Sequence, residues 1–206
     1  MAKLMGITSP ILNSPSLALG TSEVNLLELT AAYDVLANNG NGVFVHGIRS
    51  IENTEGKNLF TRKIQGPGKI LNSYTVRTMT KMMEQTIING TGKKAKINRP
   101  AAGKTGTSQS LRDAWFVGFT SNIVVGVWFG NDDDSPMKKI TGGTAPAILW
   151  GEFMKKAHID IQPQALNFGI PDDSLDQTKS KIREIIKKSK IQPKKNVFES
   201  ILDNFF

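Results

Sequence analysis

Apolar residues recur at helical spacing in three stretches of the chain and at strand spacing in several others. Asn25-Leu26-Leu27-Glu28 has the spacing of a capping box, and apolar residues follow at Leu29, Ala32, Tyr33 and Leu36 before Asn39-Gly40 supplies a left-handed stop. This predicts a helix over about 26–39. Residues 43–51 have β character, Glu55-Gly56 is a turn and Leu59-Phe60 resumes apolar character, which predicts a small hairpin. Asn72 or Ser73 caps a second helix running to about Ile88, where Asn89-Gly90-Thr91-Gly92 ends it. From Ala101 the period changes to short β segments, 102–109, 113–120 and 123–130, joined by turns too short for parallel crossovers; they predict an antiparallel meander. Thr144 caps a third helix, with Pro146 in its first turn, through Leu149, Phe153 and Met154 to about Ala157. Helices laid on an antiparallel sheet place the chain in the α/β class, as an α+β layer architecture.

Beyond Gln162 the chain turns to Pro, Asp and Lys. Ile182, Ile185 and Ile186, and then Phe198, Ile201, Leu202 and Phe205, have the spacing of short amphipathic helices. The expected division is a folded body over 1–160 and a basic, partly disordered tail over 161–206. That tail changes the meaning of the net charge. The formal +8 of the 206 residues points to nucleic acid until it is located: between Lys179 and Lys195 eight Lys and Arg face the single acid Glu184, so this stretch alone holds +7. The body is nearly neutral, and a lysine-rich tail without a rigid basic face or base-reading aromatics is not a nucleic-acid reader. With 39% hydrophobic and 21% charged residues the chain as a whole has an ordinary globular composition.

The absence of cysteine excludes disulfides, thiolate metal sites and a cysteine nucleophile. His46 and His158 are too few and too far apart to suggest a metal cluster, and no cofactor is expected. No apolar stretch of signal-peptide length opens the chain, and the longest apolar run, 123–129, is far short of a membrane span. Made alone, such a chain is expected to be neither exported nor anchored, and to remain cytoplasmic.

The segment with chemical content is Ala102-Gly103-Lys104-Thr105-Gly106-Thr107-Ser108. It is not a phosphate-binding P-loop, because that motif needs a glycine where Asn98 stands and a helix where a strand follows. It fits instead the Lys-Thr-Gly element of serine enzymes that attack β-lactams or D-alanyl peptides. On a strand, Lys104, Gly106 and Ser108 face one way and Thr105 and Thr107 the other. Lys104 places a cation that holds anions and tunes a neighbouring hydroxyl, Thr105 offers a hydroxyl to a carboxylate, and Gly106 leaves room for an extended peptide at the strand edge. The backbone N–H of Thr107 is a candidate oxyanion-hole donor.

Several further motifs carry a resemblance. They are Ser16-Leu17-Ala18-Leu19-Gly20-Thr21-Ser22-Glu23-Val24, Glu28-Leu29-Thr30-Ala31-Ala32-Tyr33 to Gly40, Arg99-Pro100-Ala101 leading into the Lys-Thr-Gly strand, Asp113-Ala114-Trp115-Phe116-Val117-Gly118-Phe119-Thr120, Val127-Trp128-Phe129-Gly130-Asn131-Asp132 and Gly142-Gly143-Thr144-Ala145-Pro146-Ala147. From about residue 5 to 155 the chain resembles the C-terminal part of the transpeptidase domain of bacterial class A penicillin-binding proteins. The resemblance implies part of a penicillin-binding/β-lactamase-like fold, cross-linking of peptidoglycan stem peptides through an acyl-enzyme on serine, and inhibition by β-lactams. It further implies a glycosyltransferase domain upstream, an inner-membrane anchor and a periplasmic location for the whole protein. The substrate-binding residues it implies are Lys104, Thr105, Gly106 and Thr107. Asp113, Trp115, Phe116, Ser110 and Arg112 are softer candidates, the aromatic ones reading more readily as core and Ser110 and Arg112 equally as solvent-exposed turn residues.

Two elements of that family are missing from these residues. The one Ser-x-x-Lys, Ser135-Pro136-Met137-Lys138, follows the motif strand in an acidic loop, and Pro136 interrupts the helical turn that aligns serine with lysine. No Ser-x-Asn occurs; Thr120-Ser121-Asn122 is the nearest look-alike. Three readings compete. The chain is a C-terminal piece of a transpeptidase, inactive alone and complemented by a separately encoded N-terminal half where one exists. Alternatively it is a non-catalytic module that binds D-alanyl peptide or glycan, or a hydrolase that uses Ser135. The resemblance also implies two sheet strands supplied from outside this segment, one beside 123–129.

Overall fold

The structure, a computed structural model, describes residues 1–63 and 65–166; the helices expected within 182–205 lie outside the described residues. Its elements in chain order are α1 (Leu26–Ala37), β1 (Ser50–Glu52), β2 (Asn58–Thr61), α2 (Ser73–Ile88), β3 (Ala102–Thr107), β4 (Asp113–Phe119), β5 (Val124–Gly130) and α3 (Ala145–Ala157), with short 3-10 turns at Pro15–Leu19, Lys93–Ala95 and Gln109–Leu111.

Local chemistry sets the helix ends. Asn25 caps α1 through its side-chain oxygen, which accepts from the Glu28 amide at 2.9 Å. Asn72 caps α2 in the same way, at 2.8 Å from the Thr75 amide. α1 stops because Asn39 (φ 51°) and Gly40 (φ 83°) take left-handed backbone. The capping box is only half closed. The Glu28 carboxylate turns outward to the hydroxyls of Ser9 and Thr8 and the Ser9 amide (3.1 Å), tying the N-terminal segment to α1. Those hydrogen bonds, from Ser9 first and then Thr8, lower the Glu28 pKa from 4.5 to about 2. The folded value lies below the unfolded one, so this stabilisation is complete above about pH 4.5 and disappears as pH falls from there to about 2. Thermal melts of the native chain and Glu28→Gln should therefore differ by a constant gap above pH 5 that closes toward pH 2; a gap independent of pH would contradict this.

The hairpin is shorter than the sequence pattern predicts. β1 and β2 pair antiparallel with a bulge between Ile51 and Glu52, while 43–48 forms no strand. Phe44, Val45 and Ile48 are all exposed, so no packed face fixes a register there. At the start of this stretch the Gly42 amide bonds instead to the Gly68 carbonyl at 2.8 Å.

The meander forms as its pattern predicts. β3, β4 and β5 lie in that order and all pair antiparallel, with Gly106 opposite Trp115 and Trp115 opposite Trp128. The alternation assigns each residue to one of two faces. Ala102 and Phe119 share a face with Lys104, Gly106, Val117 and Trp115, and there they meet Val35 and Leu36 of α1 and Val76 and Met83 of α2 in one buried cluster. Phe116 and Val127 share the other face with Thr105 and pack under Ala147, Trp150 and Met154 of α3. Leu166, 8% exposed, closes the first cluster. Among the described residues no helix is long and apolar enough to cross a membrane.

Thr144 differs from expectation in detail. It sits at the helix start, yet its hydroxyl makes no bond to the first turn of α3. It donates to the Thr141 carbonyl and accepts from the Thr141 amide, both at 2.8 Å, so it folds the loop before the helix in place of capping it.

Candidate active-site border

Among the described residues β3 is an edge strand of the sheet, and its outer edge is open. Lys104 is exposed, and its ammonium donates to the Thr105 carbonyl at 2.8 Å. That carbonyl is therefore turned outward. In an antiparallel ladder the backbone groups alternate inward and outward by residue, so those of Thr105 and Thr107 face the open edge together. The Thr107 amide thus points to the open edge. Gly106 packs on Trp115 across the ladder: a Cβ there would lie 3.1 Å from the Trp115 Cβ.

Two other segments converge on the α3 face of this strand. The Gly142 amide donates to the Thr107 hydroxyl at 3.0 Å. The Thr91 and Thr105 hydroxyls lie 2.7 Å apart. Gly142 and Gly143 permit this approach, because a Cβ on Gly142 would fall 2.3 Å from the Trp115 carbonyl oxygen and one on Gly143 would fall 2.2 Å from that of Thr91. The Asn-Gly-Thr-Gly turn reads in sequence only as a helix end, and nothing in the local pattern marks Thr91 as a partner of the motif strand.

The softer candidates divide. Phe116 is fully buried against Trp150, ring centroids 5.2 Å apart, and is core. Asp113 accepts from the Trp128 indole at 2.9 Å, while Trp128 tilts against Trp115 at 6.2 Å. Both fix the base of the motif strand from the α1 face. Arg112 pairs with Asp134, and the Ser110 backbone takes a left-handed turn (φ 58°); these residues shape the β3–β4 turn. Ser135 accepts from the Asn131 side chain at 3.1 Å, and its amide donates to Asp133 at 3.0 Å. The hydrogen bonds from Ser135 hold the Asp133 carboxyl below the ordinary carboxylate range. Among the described residues no lysine or histidine hydrogen-bonds to the Ser135 hydroxyl. A cavity of about 640 Å³ opens elsewhere, between α1 and the segments around Val43 and Gly66; burial raises the carboxyl of Asp34 in its wall.

An edge strand that carries one ammonium and a row of hydroxyls on a Lys-Thr-Gly sequence has the form of the motif strand of serine acyl-transfer domains. Comparison with known proteins gives the family. Residues 6–149 match the model of the penicillin binding protein transpeptidase domain, and the chain belongs to that family. Penicillin-binding protein 1A of Aquifex aeolicus is 39% identical over 142 residues, covering 68% of this chain and 19% of that protein. Penicillin-binding protein 1A of Rickettsia conorii is 30% identical over 236 residues, covering 98% of this chain and 29% of that protein. The chain thus spans less than a third of the length of either relative. Among solved structures, penicillin-binding protein 1A of Haemophilus influenzae superposes with a TM-score of 0.73 at 23% identity, over 82% of this chain and 31% of that one. PonA1 of Mycobacterium tuberculosis, solved in complex with penicillin V, superposes at 0.70 and 23% identity over 82% of this chain and 51% of that one. These structural likenesses are likenesses of fold.

Proposed function

We propose that this chain supplies the Lys-Thr-Gly border of a peptidoglycan D,D-transpeptidase site that cross-links cell-wall stem peptides, and that it performs no acyl transfer by itself. The observation that carries the reading is the open edge of β3, where the Lys104 ammonium, the Thr105 and Thr107 hydroxyls and the Thr107 amide lie on one strand border. An extended D-alanyl peptide pairs with that edge, its terminal carboxylate meets the threonine hydroxyls and the ammonium, and its scissile carbonyl approaches the Thr107 amide. Family membership supports these assignments for Lys104, Thr105, Gly106 and Thr107. The attacking serine, its lysine base and the Ser-x-Asn element come from polypeptide other than these residues. An intact anion border without a nucleophile supports binding and not turnover.

Fluorescent penicillin is the direct test. The chain alone should take no covalent label. Co-expressed with a polypeptide carrying the Ser-x-x-Lys and Ser-x-Asn elements of such a domain, the label should appear on that polypeptide, and Lys104→Ala in this chain should lower the labelling rate by at least tenfold, as for loss of a charged contact in a transition state. Label on this chain by itself, at Ser135 or elsewhere, would refute the proposal. Saturable muropeptide binding that no complementing polypeptide converts into labelling would favour a purely binding module.

A further inference from the structure

Thr91 lies outside the motif strand, in the turn that ends α2, yet it makes the side-chain hydrogen bond that Thr105 has within the described residues. The turn is held where it is. The Gly90 amide donates to the Gln85 carbonyl at 2.8 Å and the Gly92 amide to that of Thr86 at 2.9 Å, while Gly143 presses on the Thr91 carbonyl and reaches to 3.9 Å from the Thr105 methyl group when a Cβ is placed on it. The contact is therefore built from three segments.

A hydroxyl owns one proton and two lone pairs, so between two hydroxyls 2.7 Å apart one donates and the other accepts. If Thr105 donates to Thr91, it offers only lone pairs to an arriving carboxylate and repels it. If Thr91 donates to Thr105, the Thr105 proton is free for the anion, and the accepted bond polarises it further. The neighbouring threonine is biased in the same sense. The Gly142 amide can only donate, so the Thr107 hydroxyl accepts from it at 3.0 Å and keeps its own proton to give.

We infer that Thr91 is a positioning residue of the carboxylate site: its hydroxyl donates to Thr105 Oγ and so turns the Thr105 proton toward the bound carboxylate. The inference rests on the reading above that Thr105 receives the stem-peptide carboxylate. Trp115, opposite Gly106 in the ladder, is a built-in reporter for ligands on this border.

The test is tryptophan-fluorescence titration of the full chain, at submicromolar concentration, with N-acetyl-D-alanyl-D-alanine and with its C-terminal amide. The native chain should prefer the carboxylate form. Thr91→Val should weaken binding of the carboxylate form by about fivefold, as for one lost neutral hydrogen bond, and leave binding of the amide form unchanged. Thr91→Ser should restore the native preference, and Thr91→Ala should behave as Thr91→Val, which separates the missing hydroxyl from crowding by the valine. Equal weakening of both ligands, or full retention of the preference in both Thr91→Val and Thr91→Ala, overturns the inference while leaving Thr105 as the carboxylate receptor. A native chain that does not distinguish the two ligands overturns the Thr105 reading, and the role of Thr91 with it.

Discussion

Replacing Trp150 with alanine is expected to destabilise the chain by about 3–5 kcal/mol, in the range for truncating a buried tryptophan. Trp150 is fully buried in α3 and packs at a tilt against Phe116. Its indole N–H also donates to the Gly118 carbonyl at 3.3 Å and the Val125 carbonyl at 3.2 Å, so one side chain ties the helix to both β4 and β5. The substitution opens a cavity and removes this shared donor together. For a domain with a typical stability of about 5–15 kcal/mol that loss is a large fraction of the total, and the melting temperature should fall by about 10 °C or more. The functional border should loosen as well, because α3 follows directly on the Gly142-Gly143 segment that bonds Thr107. Circular-dichroism melts of the native chain, Trp150→Phe and Trp150→Ala would check this, with Trp150→Phe in between. A loss below about 1 kcal/mol in Trp150→Ala would show that α3 is not an anchor of the sheet.

Edge-to-edge association through β5 is the second large effect expected. Both faces of this strand are covered. Gly126 lies against Thr30 and Leu26 of α1, and Val127 is buried with Trp150 of α3. Its outer edge is a different matter, since β5 is the last strand of the sheet among the described residues. The strand Val-Val-Gly-Val-Trp-Phe-Gly carries no charge and no proline to discourage pairing. The isolated chain should therefore sediment as a concentration-dependent mixture at micromolar concentration. Trp128, 41% exposed, offers a place to block this, because a lysine there stays beside Asp113 while adding a charge to the edge. Trp128→Lys should move association to concentrations at least tenfold higher. A native chain that stays monomeric and melts cooperatively at high concentration would show that the edge needs no partner.

These two expectations rest on different kinds of information. The β5 strand itself was legible in the chain as an uncharged β run, whereas the expectation of an open edge beside it came from the family resemblance, which implies a neighbouring strand supplied from outside this segment. The Lys-Thr-Gly strand was legible too, as the first strand of the meander. Trp150 was not singled out: of the apolar positions read along this helix, Leu149 and Phe153 are exposed and only Met154 is buried, while Ala147 and Trp150 make the face that packs on the sheet. Glu28 was read as closing a capping box, but two hydroxyls and an amide from residues 8–9 compete for its carboxylate and win. The β character of 43–48 did not become a strand because no packed face selected a register.

Local signals in the amino-acid chain were enough for the Asn25 and Asn72 caps, the Asn39-Gly40 stop, the meander and the opposed facing of Lys104 and Thr105, since each depends on residues a few positions apart obeying backbone sterics and a fixed period. The meeting of Thr91 with Thr105, of Gly142 with Thr107 and of Trp150 with two strands at once depends on distances between segments separated by 14, 35 and about 30 positions. Such contacts exist only after helices have packed on both sheet faces, because close packing, and no local preference, brings those atoms within hydrogen-bond reach.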